Sequence, residues 1–237
     1  WGVTTSKPGK LYLHIFQAPN DGMLHVPFIT ATVTHVRLLG TDEQLSWEKQ
    51  PGDILIRLPA RLPDKRDAVI ELDYTGHQPD HSADHTQTVS RQYPEIKIPV
   101  IQATYHGQAQ NKSITSAHYF GDWKHDNCAV NLKDSTDAIT FGLNILQPGD
   151  YRIILDYACA HASASTEGIV QVADQQLYFR SLETGEYDSH KPLMFIQHAI
   201  GLVTIPEKGQ YKLSIIPAED TSHGLFWLRN LIIQPIR

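Results

Sequence analysis

Short segments of alternating apolar and polar residues, separated by turn signals, run along almost the whole chain. In the first third they occupy residues 11–16, 30–39, 45–49, 53–58 and 68–74. Later ones occupy residues 98–105, 138–145, 151–157, 168–173, 176–180, 199–205, 210–216 and 226–233. Each is rich in β-branched or aromatic residues, which is typical of strands. No amphipathic pattern exceeds about three helical turns. The sequence therefore predicts an all-β protein.

One polar stretch, residues 76–92, interrupts this pattern. Its only large apolar residue is Val89. Such a long polar segment within a compact domain is unusual, so we interpret it as a linker. We expect a first domain over 1–92, an antiparallel β-sandwich with the linker at about 76–92. We expect a second domain over 93–237, a jelly roll, because about eight strands follow at the spacing typical of that fold.

The net charge and the length of the apolar runs exclude some classes of binding partner. The net charge of the 237-residue chain is -6, whereas surfaces for nucleic acids or anionic membranes usually carry a basic excess. The apolar runs are too short for a transmembrane helix. We therefore expect no nucleic-acid and no membrane partner. The two cysteines, Cys128 and Cys159, leave two alternatives open: a disulfide in a secreted protein, or two buried thiols.

An ordered set of segments in residues 1–76 resembles a known family. The chain reads WGVTTSK at 1–7, KLYLHIF at 10–16, VRLLG at 36–40, IRLP at 56–59 and AVIEL at 68–72. This order resembles the region after the catalytic barrel in the α-L-fucosidases of glycoside hydrolase family 29. The resemblance implies a small antiparallel sandwich that packs against the upstream barrel. It also implies that the two catalytic carboxylates lie in that barrel, so we assign no catalytic residue here and expect the chain alone to be inactive.

A second set resembles the galactose-binding-like jelly rolls of carbohydrate-binding modules. It comprises DAITFGLNI at 137–145, PGDYR at 148–152 and KGQYKL at 208–213. Some of those modules hold a structural calcium through carboxylates in their first strand. The matching segment here, residues 98–104, has Gln102 where a carboxylate is expected, and calcium prefers charged oxygen ligands. We therefore predict no metal site and no cofactor.

One loop, residues 119–127, combines aromatic and polar side chains in the manner of sugar sites. We expect Trp123 to stack on a sugar ring, and Asp122, His125 and Asn127 to bind its hydroxyl groups. The alternative is that Trp123 covers the end of the sandwich. The loops 160–167, 183–191 and 220–223 are expected near the same end. In the last strand, simple alternation predicts that Asn230 shares a face with Leu228, and Arg229 with Leu231.

Three functions remain in competition. The first is an accessory C-terminal portion of an α-L-fucosidase, with the upstream catalytic barrel as partner and a fucosylated glycan as a candidate ligand. The second is a structural spacer without a ligand. The third is an independent enzyme using Asp122, His125 or Asp126, which is disfavoured because no set of nucleophile, base and orienting group is readable. The fucosidase resemblance implies a periplasmic or secreted protein.

Overall fold

The structure is a computed structural model that describes residues 1–41, 43–79, 85–116, 124–188, 191–192 and 194–236. Strands dominate, and the helical segments in these ranges are single 3₁₀ turns at Val100–Gln102 and His161–Ser163. The predicted all-β fold class is confirmed. Among the described residues, no helix has the length and apolar character needed to cross a membrane.

The chain divides into two compact units, Trp1–Asp84 and His85–Arg237. In the first unit, the part of the chain that the structure describes forms seven strands: β1 Gly2–Lys7, β2 Lys10–Ile15, β3 Met23–Val26, β4 Thr32–Leu38, β5 Trp47–Gln50, β6 Asp53–Arg57 and β7 Ala68–Thr75. They form two antiparallel sheets in the orders β1-β2-β7-β4 and β3-β6-β5. Alternate residues such as Leu13, Ile54 and Ile70 are buried in one core.

A buried carboxylate, that of Glu71, lies on the larger sheet of this unit. Its Oε1 atom accepts hydrogen bonds from Lys10 Nζ at 2.6 Å and Arg37 Nη2 at 2.7 Å. Lys10 also reaches Asp73 Oδ1 at 2.6 Å. Chiefly through the Lys10 hydrogen bond, the pKa of Glu71 lies below its usual value despite burial. The three strands β2, β4 and β7 are thereby tied together on their polar face.

In the second unit, the described residues form fourteen strands. They are β8 Thr86–Val89, β9 Ile96–Pro99, β10 Thr104–His106, β11 Gln110–Ser116, β12 Lys124–Val130, β13 Ala138–Ile145, β14 Gly149–Ala158, β15 Glu167–Val172, β16 Gln175–Arg180, β17 Glu186–Asp188, β18 Lys191–Pro192, β19 Ile196–Ile205, β20 Gly209–Pro217 and β21 Trp227–Pro235. Sheet A has the order β10-β13-β20-β15-β16, with β8 pairing in parallel to β13. Sheet B has the order β11-β12-β21-β14-β19, with β9 pairing to β21. Strands β17 and β18 form a separate ribbon.

The inner faces of sheets A and B share one apolar core. Its largest fully buried side chains include Tyr151, Tyr157 and Phe141. The Tyr157 ring stacks on Phe226, with ring centroids 4.6 Å apart. Strand β13 buries every second residue, as the period-2 pattern of the sequence predicts, whereas β14 is buried on both faces over residues 153–158.

Two local expectations differ from the structure. Residues 85–92, assigned above to the linker of the first domain, belong to the second unit, where β8 pairs with β13 and Val89 is buried. The segment Thr-Gln-Thr-Val is polar, but its β-branched residues suit a strand. The expected strand 98–105 is divided by the 3₁₀ turn at Val100–Gln102, directly after Pro99, which has no N–H for the sheet. Gln102 therefore lies in a turn.

Both cysteines are buried free thiols, which decides between the two alternatives left open by the sequence. Burial, supported by the charge of Asp126, raises the pKa of the Cys128 thiol to about 12. Burial likewise raises the pKa of Cys159 to about 11. Both side chains are therefore protonated near neutral pH and are poor nucleophiles.

Candidate functional site

The loop expected over residues 119–127 is wrong from Lys124 onward, because strand β12 begins there and carries two of the four predicted sugar-binding residues. His125 and Asn127 are two positions apart, so they lie on the same face of the strand, and both are exposed. Asp122 and Trp123 lie outside the described residues. The structure thus brings His125 and Asn127 together, and their partnership with Trp123 remains a sequence-based prediction.

Asp126, between them in the chain, belongs to a polar cluster that the sequence analysis did not predict. Its Oδ1 atom lies 3.3 Å from Arg229 Nη1. The same guanidinium donates from Nε and Nη2 to the two carboxylate oxygens of Asp156, at 3.1 Å each. Asn230 Nδ2 donates to Asp156 Oδ2 at 2.6 Å. We call Asp126, Asp156, Arg229 and Asn230 the Arg229 cluster.

A β-bulge between β14 and β21 builds this cluster. Asp156 is opposite Asn230, but Tyr157 is opposite Leu228, so Arg229 is an extra residue in β21. Leu228 and Leu231 both enter the core, which leaves Arg229 and Asn230 side by side on the polar side of the sheet. The expectation that Asn230 shares a face with Leu228 is therefore wrong, since simple alternation cannot account for an inserted residue.

The electrostatics of the cluster are balanced. Asp156 has a side chain only 2% exposed, and its two-pronged pairing with Arg229 offsets the cost of burying it. Burial lowers the pKa of Arg229, but hydrogen bonds and charges from Asp156 and Asp126 outweigh this and leave it above its usual value. The guanidinium carbon lies 4.0 Å from the centroid of the Phe195 ring. The arrangement connects β12, β14 and β21 through side-chain hydrogen bonds and ion pairs.

The signal for this cluster in the sequence is a charged residue within an apolar strand. Asp156 interrupts the run Ile-Ile-Leu-Asp-Tyr at 153–157, where a lone carboxylate is costly unless it is paired. Arg229, in the equally apolar last strand, is one candidate for the matching cation. The sequence alone does not say which of the 20 basic residues is the partner.

The loops expected at one end of the sandwich do contact one another. Ser181 Oγ donates to the Ser163 carbonyl at 2.6 Å, and Ser163 Oγ donates to the His223 carbonyl at 3.4 Å. His161 Nδ1 lies 2.9 Å from Glu183 Oε2. This end is polar. Its loops are held together by hydrogen bonds from serine side chains to backbone carbonyls and by the contact between His161 and Glu183. No group of three or more His, Cys, Asp or Glu side chains suited to a metal occurs among the residues that the structure describes.

Residues 1–72 match the alpha-L-fucosidase C-terminal domain. The resemblance stated for the N-terminal part of the chain is thereby confirmed. No curated protein matches the sequence.

Solved structures extend the likeness in fold. The alpha-L-fucosidase from Vibrio sp. strain EJY3 aligns with 99% of this chain at 18% identity and a TM-score of 0.56, and 40% of that chain is covered. A family 35 carbohydrate binding module from Clostridium thermocellum aligns with 60% of this chain and 98% of its own length, at 15% identity and a TM-score of 0.45. The present chain thus spans well under half of the fucosidase that it resembles.

Proposed function

We propose that this chain is the C-terminal accessory portion of an α-L-fucosidase-type glycoside hydrolase. The observation that carries the proposal is the match of residues 1–72 to the C-terminal domain of such enzymes. The likeness in fold to a Vibrio fucosidase over 99% of the chain supports it for the second unit as well. In this role the first unit supports a catalytic barrel, and the second unit binds carbohydrate.

Strand β1 is the surface that we assign to the catalytic domain. It is an edge strand, and all six of its residues are exposed. Val3 and the nearby Phe16 are exposed by 52% and 51%. An exposed strand edge with apolar side chains is normally covered by a partner. Mixing the chain with an isolated family 29 barrel should give a complex in sedimentation experiments, and Phe16→Asp should weaken it. If the chain forms no complex with any such barrel, this role is contradicted.

The sugar site is assigned to residues 122–127, which run into β12, with Trp123 as the stacking residue. Asp122, His125 and Asn127 supply hydrogen bonds to hydroxyl groups. A pyranose has an apolar C–H face and a polar rim, which an indole beside amide, imidazole and carboxylate groups complements. Affinity should be weak, about 0.1–1 mM, because a small ligand in an open loop forms few buried contacts.

A titration of the whole chain with fucosylated oligosaccharides tests this assignment. Trp123→Ala should abolish binding and leave the melting temperature nearly unchanged. A loss of about 3 kcal/mol or more in stability would instead identify Trp123 as a core residue. If the unmodified chain binds no glycan on an array or in titration, the second unit is a structural spacer.

A further inference from the structure

The outward face of sheet A carries a straight row of uncharged polar residues. Residues directly opposite each other on neighbouring strands share a face of the sheet. Strands β16, β15, β20, β13 and β10 are neighbours in this order, and each contributes one residue to the row. We call this set the polar row: Gln176, Gln171, Ser214, Thr140 and Thr104. It crosses four strand spacings of about 4.8 Å, or roughly 19 Å.

The polar row is accessible. Gln176 and Thr104 at its ends are exposed, and the three central residues are half-buried between their neighbours. Thr140 Oγ1 and Ser214 Oγ lie 2.9 Å apart, so one hydroxyl donates to the other. Each Gln amide carries two N–H donors and an acceptor oxygen, so the row presents both donors and acceptors to solvent.

The positions beside the row extend the same surface. On one side, Tyr178 is 60% exposed and its hydroxyl donates to Gln176 Oε1 at 3.0 Å, which orients the ring next to the row. On the other side, Gly142 is opposite Thr86 and leaves the sheet surface without a side chain. One step further, Asn144 is opposite Gln210 and adds two more amide groups.

We propose that this face binds a neutral oligosaccharide, along the polar row and across the strands. The inference rests on the proposed function and adds a second binding surface on sheet A, whereas β12 belongs to sheet B. The charge pattern selects the ligand. The row has no formal charge, while Lys212 and the Arg180–Glu167 pair, 3.7 Å apart, lie at its margins.

Other occupants fit this pattern less well. The core of a protein interface needs several large, well-exposed apolar side chains. The polar row has none, and on the row beside it Ile169 and Ile216 are half-buried while Tyr178 is exposed. A polyanion needs a cluster of cations, whereas the margins have Lys212 and an Arg180 that is already paired with Glu167. A linear sugar chain instead repeats hydroxyl groups and C–H faces along its length, which matches a row of amides and hydroxyls beside an exposed tyrosine ring.

The test is a titration of the whole chain, followed by backbone NMR, with cellohexaose, mannohexaose and 2′-fucosyllactose as neutral probes and hexagalacturonate as the charged one. We expect at least one neutral probe to shift signals of β13, β15, β16 and β20, and hexagalacturonate to bind more weakly. The variant Gln171→Ala combined with Tyr178→Ala should weaken binding about tenfold, because hydrogen bonds and ring contact are lost together. The matched control, Gln197→Ala, removes an exposed amide from sheet B and should change nothing.

A second variant covers the case in which the double variant does not fold. Gln171→Glu keeps the size of the side chain, adds a charge in the middle of the row and should also weaken binding of the neutral probe. Shifts confined to residues near 117–127 would overturn the sheet site and leave the proposed function intact. Binding of no probe would overturn this inference and the carbohydrate-binding part of the proposed function. Signal changes on sheet A that depend on protein concentration alone would show a second copy as the occupant and also overturn it.

Discussion

Among individual residues, Asp156 has the strongest consequence for stability. Its carboxylate is almost fully buried, and its oxygens are matched by Arg229 and Asn230. The buried pair itself adds little net stability relative to a well-packed apolar pair, but removal of one partner leaves the other charge uncompensated.

We therefore predict that Asp156→Ala lowers the free energy of unfolding by about 3 kcal/mol, since it leaves the partly buried Arg229 guanidinium with Asp126 alone and removes the acceptor of the buried Asn230 amide. Urea denaturation of the whole chain measures this loss. Asp174→Ala, at an exposed turn position, is the matched control and should change stability by less than about 0.5 kcal/mol. Equal effects of the two substitutions would contradict the role assigned to the Arg229 cluster.

His198 is the residue for which the structure predicts a pH effect. The Tyr157 hydroxyl accepts the Leu182 N–H at 2.9 Å, so its own proton points to His198 Nδ1, also at 2.9 Å. Burial lowers the pKa of His198 from its ordinary 6.5. The neutral ring thus contributes stability that is complete above pH 6.5 and is lost as the pH falls towards the lowered pKa.

NMR titration of the imidazole signals, assigned with His198→Gln, checks this. We expect the His198 pKa below 6.5, and a smaller loss of stability on acidification in His198→Gln than in the unmodified chain. A His198 pKa at or above the ordinary value would contradict the predicted effect.

At the level of strands, close packing between β15 and β16 is the sensitive feature. A Cβ atom added to Gly168 would lie 2.5 Å from Phe179 Cζ and 2.9 Å from Leu225 Cδ2. Phe179 has little freedom to move, because its ring stacks on Phe226. The small residue at 168 is therefore required by the approach of the two side chains.

Gly168→Ala should accordingly destabilise the second unit by about 1–3 kcal/mol, the usual cost of an overpacked core. Gly201→Ala is the control, because there a Cβ meets only the flexible end of Leu177 at 3.2 Å. Thermal melting curves of both variants measure the difference in stability. Equal stability of the Gly168→Ala and Gly201→Ala proteins would contradict the close packing described at residue 168.

For the whole molecule, two separate apolar cores correspond to the two units of the chain. The fucosidase that resembles this chain in fold is much longer, since only 40% of it is covered. Retaining glycosidases need two carboxylates on opposite sides of the scissile bond, about 5–5.5 Å apart on a rigid site. In the resembling family those carboxylates belong to the barrel.

The isolated chain should therefore show no turnover of 4-nitrophenyl α-L-fucoside. Release of 4-nitrophenol is measured against a buffer blank and against a complete family 29 enzyme. Turnover that copurifies with the chain and disappears in Asp126→Asn would identify it as an enzyme in its own right.

The period-2 pattern, the turn signals and the ordered segments of residues 1–76 were sufficient to predict the all-β class, most of the strands and the fucosidase resemblance. These are local properties, since burial of every second residue is recorded in adjacent positions of the chain. The Thr-rich β8 was missed because a polar strand and a polar linker have similar compositions. The candidate loop could be proposed for the same local reason, from an aromatic residue beside polar ones.

Alternation and the positions of most strands follow from the amino-acid sequence, whereas the pairing of strands that are distant in the chain is seen only in the folded protein. The Arg229 cluster joins residues 126, 156 and 229, and the polar row joins five strands between residues 104 and 214. Neither is visible in any local window, because hydrogen bonds between distant strands set the register. The bulge at Arg229 is a further example. One inserted residue places Asn230 on the polar side of the sheet, while Leu228 and Leu231 both enter the core.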